Sequence, residues 1–204
     1  MRLNTDDYFD QLYQDNDDPW HYQQRWYEQR KRQLCLAALP QARFQQVLEI
    51  GCSNGIFSEL LAPRCQQLIC VDANRRAVEL AQTRLARFAH VQVRHQRVPE
   101  THLELEDGGL FDLIILSEVA YYLRPAELAQ LMQQLHQCLS ADGTLLACHW
   151  RYPIAGFELN GDQVHACLRQ QLALHHYLQM NDPDFLLDLW TQDAQSVAAR
   201  EGLI

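Results

Sequence analysis

No run of about eighteen apolar residues occurs in this sequence, so nothing in it reads as a membrane-spanning helix. The stretch from Met1 to Asp18 is polar and acidic and lacks the apolar core of a secretory leader, which makes the cytosol the expected compartment. The chain has 7 cysteines, an odd number, and no Cys-x-x-Cys pair. That argues against a disulfide framework and a structural zinc site, so no metal is expected and most cysteines should be small apolar fillers. Positive charge is also short. With 17 Lys and Arg against 26 Asp and Glu the formal charge is −9, and such a chain repels phosphate backbones, which removes nucleic acid from the expected partners. One local cluster, Arg25, Arg30, Lys31 and Arg32, runs against the acidic excess; at helical spacing it is expected to be a solvated face. No internal repeat or low-complexity stretch is present.

What is there is one ordinary domain of 204 residues with a modest addition, and 48% hydrophobic content that suffices for a full core. Residues 1–40 read as an N-terminal helical extension or lid and 41–204 as the main domain. In the extension, Asp18-Pro19 has the form of a helix start, with a helix from Trp20 to Ala38 closed by Pro40. This zone is rich in rings: Tyr8, Phe9, Tyr13, Trp20, Tyr22, Trp26 and Tyr27 either dock the segment or line a pocket. From Gln46 to Trp150 short apolar strands alternate with helices. The strands are Val47–Ile50, Leu68–Val71, Val91–Arg94, Phe111–Leu116 and Thr144–Cys148. The helices are Ile56–Ala62, Arg75–Phe88 and one opened by Pro125, whose unit Gly143 ends. Nearly all-apolar strands separated by helices imply an α/β, Rossmann-like doubly wound parallel sheet covered on both faces. A helix at Asp162–Gln171 and two strands, Leu174–Gln179 and Phe185–Thr191, then predict a terminal hairpin adding antiparallel edge strands.

The sharpest local signal is Glu49-Ile50-Gly51-Cys52-Ser53-Asn54-Gly55 between the first strand and the first helix of that sheet, where a doubly wound fold binds its ligand. Gly51 permits a tight turn and Gly55 a close backbone approach. Asp72 ends the next strand, about twenty residues on, where an acid can bond both hydroxyls of a ribose. A nicotinamide enzyme would want Gly-x-Gly-x-x-Gly for its pyrophosphate, and that pattern is absent. Gly-x-Ser-x-Gly of a hydrolase matches literally and would make Ser53 a nucleophile, but that elbow normally follows a central strand deep in the chain. Glu-x-Gly-x-x-x-Gly with a ribose acid fits S-adenosylmethionine (SAM), which has no phosphate to cradle.

With Asp18-Pro19-Trp20, Tyr27-Glu28-Gln29-Arg30-Lys31-Arg32, the glycine loop, Ser117-Glu118-Val119-Ala120-Tyr121-Tyr122-Leu123, His149-Trp150-Arg151 and Gly161-Asp162-Gln163-Val164-His165, the chain resembles class I SAM-dependent methyltransferases, and among them the nodulation-protein-S-like N-methyltransferases. The resemblance runs over nearly the whole chain. It implies methyl transfer to the free amine of an amino sugar or de-N-acetylated chito-oligosaccharide. It also implies that Glu49 orients the loop, that Gly51, Cys52, Ser53, Asn54 and Gly55 meet the methionine end of SAM, that Asp72 and Ala73 hold the ribose, and that Arg97 and Val98 flank adenine, with Ser117 and Glu118 facing the methyl position. No acid stands at 97 or 98 to bond the adenine amino group.

Methyl transfer to an amine needs the amine neutral, so a carboxylate or histidine near the acceptor is expected. Glu118 after the fourth strand and His149 after the fifth are the candidates. Tyr121, Tyr122, Trp150 and Arg151 are candidate acceptor contacts, joined by Asp162 and His165 one helical turn apart. Trp20, Tyr27 and Arg30 either close the cofactor pocket or simply pack. A methyltransferase of another small acceptor, and a SAM-binding module without turnover, are the competing readings.

Overall fold

A computed structural model describes residues 3–105 and 108–204. Seven strands form one sheet: β1 (Phe44–Ile50), β2 (Cys65–Asp72), β3 (Val91–His95), β4 (Phe111–Ser117), β5 (Leu139–Trp150), β6 (His175–Asn181) and β7 (Phe185–Thr191). Their order is β3-β2-β1-β4-β5-β7-β6. The first five strands are mutually parallel, with Val47 opposite Leu68 on one side and Leu113 on the other. Order reverses between β1 and β4, so a crevice opens at the carboxyl ends of those two strands. Alternate side chains enter two cores. Leu48, Ile50, Ile114 and Leu116 face one side, with Leu128, Leu131 and Leu135 of helix α5 (Pro125–Cys138) and Val164 and Leu168 of α6 (Gly161–Gln171). Val47, Leu68, Leu113 and Ile115 face the other, with Cys35 of α2 (Trp26–Ala38), Leu61 of α3 (Ile56–Leu61) and Ala81 and Leu85 of α4 (Arg75–Leu85). The expected double coverage holds.

The terminal hairpin exists, but only β7 runs against the sheet. It inserts between β5 and β6, antiparallel to both, so β6 is the edge and β7 is buried along its whole length. A strand reading Phe-Leu-Leu-Asp-Leu-Trp-Thr has apolar groups on both faces and is stable only when covered on both. β5 begins at Leu139 rather than Thr144, and Gly143 lies inside it.

The extension differs most from expectation. A helix α1 (Thr5–Gln14), not anticipated, starts at Asn4, whose side chain accepts from the Asp6 N–H. The helix expected from Trp20 begins only at Trp26. Asp18 does cap backbone amides, of Tyr22 and Gln23, but in a turn in which His21 takes φ +56°. The turn lets Trp20 and Tyr22 stack, ring centroids 5.4 Å apart, a pairing that a helix forbids to residues two apart. Among the described residues no helix is long and apolar enough to cross a membrane. The seven cysteines are free, six of them buried.

Candidate functional site

The crevice is a cavity of about 510 Å3 at the carboxyl ends of β1, β2 and β4, roofed by the extension. Its floor holds Ile50, Gly51, Ser53, Val71, Asp72, Ala73, Arg97, Val98, Ser117 and Glu118, and its roof Tyr8, Phe9, Tyr13, Trp20, Tyr22 and Tyr27. The aromatic residues thus do both things at once: they dock the extension and wall the pocket. Trp26 is the exception, 72% exposed.

Gly51 has φ +76°, and a Cβ on it would sit 2.0 Å from Val119 Cγ2; only glycine lets this loop pass beneath β4's exit. Gly55, φ +78°, has a different task from the one expected. A Cβ there would meet Ala81 of α4 at about 3.2 Å, so it serves helix packing and does not line the cavity. Asn54 does not line the main cavity either; its amide donates to the Asp17 carbonyl at 3.0 Å and so ties the extension to the loop. Ser53 has φ +52°, donates its N–H to Asp72 (2.9 Å), and shares a 2.5 Å hydrogen bond with the Tyr13 hydroxyl. Among the described residues no histidine lines the cavity, so a Ser53 nucleophile has no base. Asp72 accepts from Ser53 N and Asn74 N, one on each oxygen. A carboxylate has about four acceptor positions, so two remain, one per oxygen, which suits a vicinal diol. Burial pushes its carboxyl above the usual range, against the pull of those backbone amides.

Beneath the loop a side cleft of about 50 Å3 continues the cavity, lined by Tyr22, Glu28, Lys31, Arg32, Glu49, Cys52, Asn54 and Glu118. Here the basic cluster is corrected. Lys31 and Arg32 are 4% and 8% exposed, not solvated. Lys31 Nζ lies 2.6 Å from Glu118 Oε1 and 3.1 Å from Glu28. Burial would lower the ammonium's pKa, but Glu118 and Glu28 more than offset it and hold it above the ordinary lysine value. Arg32 Nη2 donates to the Tyr22 carbonyl at 2.7 Å and its Nη1 faces Glu28 at 3.8 Å, while Nε and Nη1 make no hydrogen bond. Buried guanidinium donors that make no hydrogen bond, in a cleft beside a glycine loop, fit a carboxylate. The residues present therefore fit SAM, with an acid for the ribose, a guanidinium for the amino-acid carboxylate and apolar Val71 and Val98 for a base.

Glu118 sits at φ +59°, a conformation uncommon for a non-glycine residue. Its carboxylate accepts from Lys31, from the Tyr121 hydroxyl and from the Trp150 N–H at 2.9 Å. Tyr121 and Tyr122 are buried in the 310 turn Ala120–Tyr122 and line the cavity, as does Trp150. Burial and Glu118 raise the Tyr121 phenol well above its ordinary value, so it stays protonated and donates.

Several expected site residues lie elsewhere. His149 and His165 are 0% exposed and do not line the cavity. Strand alternation turns His149 into the core while Trp150 reaches the pocket. Arg151 pairs with Asp162 at 3.0 Å and Arg30 with Asp182 at 2.7 Å, and neither arginine lines the cavity. Glu49 is buried beneath the loop in the side cleft, and Cys52 beside it. Residues not singled out beforehand include Thr5, Glu28, Lys31 as a site residue, Gln96 and Ile154. The Tyr27–Arg32 motif contained Glu28 and Lys31; nothing local marked their helix face as buried.

A family model described as nodulation protein S (NodS) matches residues 5–156. The curated nodulation protein S of Rhizobium tropici is 33% identical over 132 residues, 64% of this chain and 54% of its own length, so the chain spans about half the length of that relative. Among solved structures, a Pseudomonas syringae protein is 46% identical with a TM-score of 0.72, covering 82% of this chain and 99% of that one. The N-methyltransferase NodS from Bradyrhizobium japonicum WM9, solved with S-adenosyl-L-homocysteine (SAH), is 27% identical with a TM-score of 0.79, covering 93% and 98%. Fold, loop geometry and these matches agree: the chain belongs to the nodulation protein S family.

Proposed function

We propose that this chain transfers a methyl group to the free amine of an amino sugar or de-N-acetylated chito-oligosaccharide. The observation that carries the reading is Glu118: a carboxylate held by Lys31, Tyr121 and the Trp150 N–H, beside an aromatic-walled cavity that begins at the glycine loop and Asp72. SAM, when bound, supplies a methyl on a sulfonium, open to in-line attack. Asp72 would hold its ribose, Gly51 and Ser53 its methionine backbone, Arg32 and Lys31 its carboxylate, and Ala73, Arg97 and Val98 its adenine edge. Three of about four acceptor positions on Glu118 are filled, leaving one for an acceptor N–H. Positive charge grows on the nitrogen as the new bond forms, and a fixed carboxylate in a water-poor site stabilises it. Tyr121, Tyr122 and Trp150 offer ring faces and hydroxyls suited to a sugar. Residues 1–40 act as the roof that excludes water.

The B. japonicum relative is named an N-methyltransferase, which supports the nitrogen acceptor. A second reading, a small acceptor with an aromatic body, draws on the apolar walls Phe9, Leu123 and Ile154. Mass spectrometry after incubation with SAM separates them. De-N-acetylated chito-oligosaccharides should gain the mass of one methyl and fully acetylated ones none. No gain on either removes the sugar assignment.

A further inference from the structure

Behind the cavity lies a chain of buried polar groups that methyl transfer, as described, does not use. Asp188 on β7, His165 on α6 and His149 on β5 are each 0% exposed. His165 Nδ1 is 2.7 Å from Asp188 Oδ2, His149 Nδ1 is 3.0 Å from His165 Nε2, and the Ala120 N–H donates to His149 Nε2 at 3.2 Å. Arg169 and His176 close the far end, both on Asp188.

The protons in this chain have one arrangement. A backbone N–H only donates, so His149 Nε2 is bare and its proton sits on Nδ1. That proton points at His165 Nε2, which must be bare in turn, so the His165 proton sits on Nδ1 and points at the Asp188 carboxylate. Burial, which pushes His149 well below the ordinary imidazole value, agrees with a neutral ring. Asp188 is buried too, but the bonds from His165, Arg169 and His176 outweigh that and keep its carboxyl below the usual range.

The chain ends on the first residue of the turn Ala120–Tyr122. That turn carries Tyr121, whose hydroxyl donates to Glu118 and whose ring stands edge-on to His149 with centroids 5.4 Å apart. We infer that His149 is a positioning residue: Asp188, through His165, fixes the His149 tautomer that accepts the Ala120 N–H, and so holds Tyr121 and Glu118 in register with the acceptor. Its kinetic consequence rests on the methyl-transfer reading; the tautomer and the turn do not.

The test compares His165→Gln with His165→Leu. A glutamine amide can accept from His149 and donate to Asp188, whereas leucine does neither and frees the His149 proton to move to Nε2. Nitrogen-15 spectra of the wild-type protein should show His149 protonated on Nδ1 alone; a proton on Nε2 overturns the inference without any variant. Exchange of the Ala120 amide should speed up at least tenfold in His165→Leu, with β4 amides unchanged, and stay near wild type in His165→Gln. On a de-N-acetylated chito-oligosaccharide, kcat should fall about tenfold in the leucine variant, with SAH affinity within twofold, and return with glutamine. Equal Ala120 protection in both variants, or equal kcat, overturns it. If the wild type methylates no sugar, the acceptor reading has failed, and the spectra and amide exchange still decide the relay. If the leucine variant does not fold, the wild-type spectrum decides.

Discussion

Glu49 is 3% exposed beneath the glycine loop, where the weak Cys70 thiol donates to it at 3.6 Å. Burial pushes its carboxyl up to about 7. In the unfolded chain the value is about 4.3, so between these pH values the native state binds more protons and stability falls as pH rises, by up to about 4 kcal/mol. Glu49→Gln should raise the urea midpoint at pH 8 and leave it nearly unchanged at pH 5; equal midpoints for the two proteins at pH 8 would refute this. Lys31 is the opposite case. Its ammonium neutralises Glu118 and Glu28 in a cleft that water scarcely reaches. Lys31→Met leaves Glu118 without its cation and Glu28 with Arg32 alone, at 3.8 Å, and should cost about 3–5 kcal/mol in denaturant unfolding, part of it regained on adding Glu118→Gln.

At the scale of elements, α1 is weakly held. Tyr13 is its buried residue, and it is tied to the body through Tyr13–Ser53, Asp10–Asn74 and Asp6–Arg97. A helix with one buried side chain opens locally more easily than strands buried on both faces. Its amides should exchange faster than those of β1 and β4, and slow on adding SAH if α1 roofs the cofactor; an unchanged rate with SAH bound would count against the roof. The helix was legible, since Asn4 and the acids at 6 and 7 form a start signal. The start at Trp20 was misjudged because Asp18-Pro19 opens a capped turn as readily as a helix. Charge at helical spacing told nothing of burial: Arg25 lies at the surface and Lys31 and Arg32 do not, Lys31 reaching Glu118 just past β4 and Arg32 the Tyr22 carbonyl.

For the whole molecule, the cavity lies between extension and sheet, so a ligand bound there bridges the two. SAH at a hundred times its Kd should stabilise the protein by about 2.7 kcal/mol and raise Tm accordingly. Asp72→Ala removes two acceptor positions and should weaken SAH about a hundredfold by calorimetry, abolishing most of that rise. Undiminished affinity would displace the ribose site from Asp72.

By itself the sequence determined the alternation of strands and helices, and with it the doubly wound sheet, because apolar runs covered on both faces have few other solutions. It also determined the loop from Gly51 and the acid at Asp72, since backbone freedom and strand-end position are local properties. Tertiary structure decided what depends on distant partners. It placed β7 inside the sheet, turned His149 and His165 into a core relay, took Arg151 and Arg30 out to surface pairs, and buried Lys31 against Glu118, 87 positions along the chain. The physical reason is that a charged or imidazole side chain is stable in several environments, and only its neighbours in space select one.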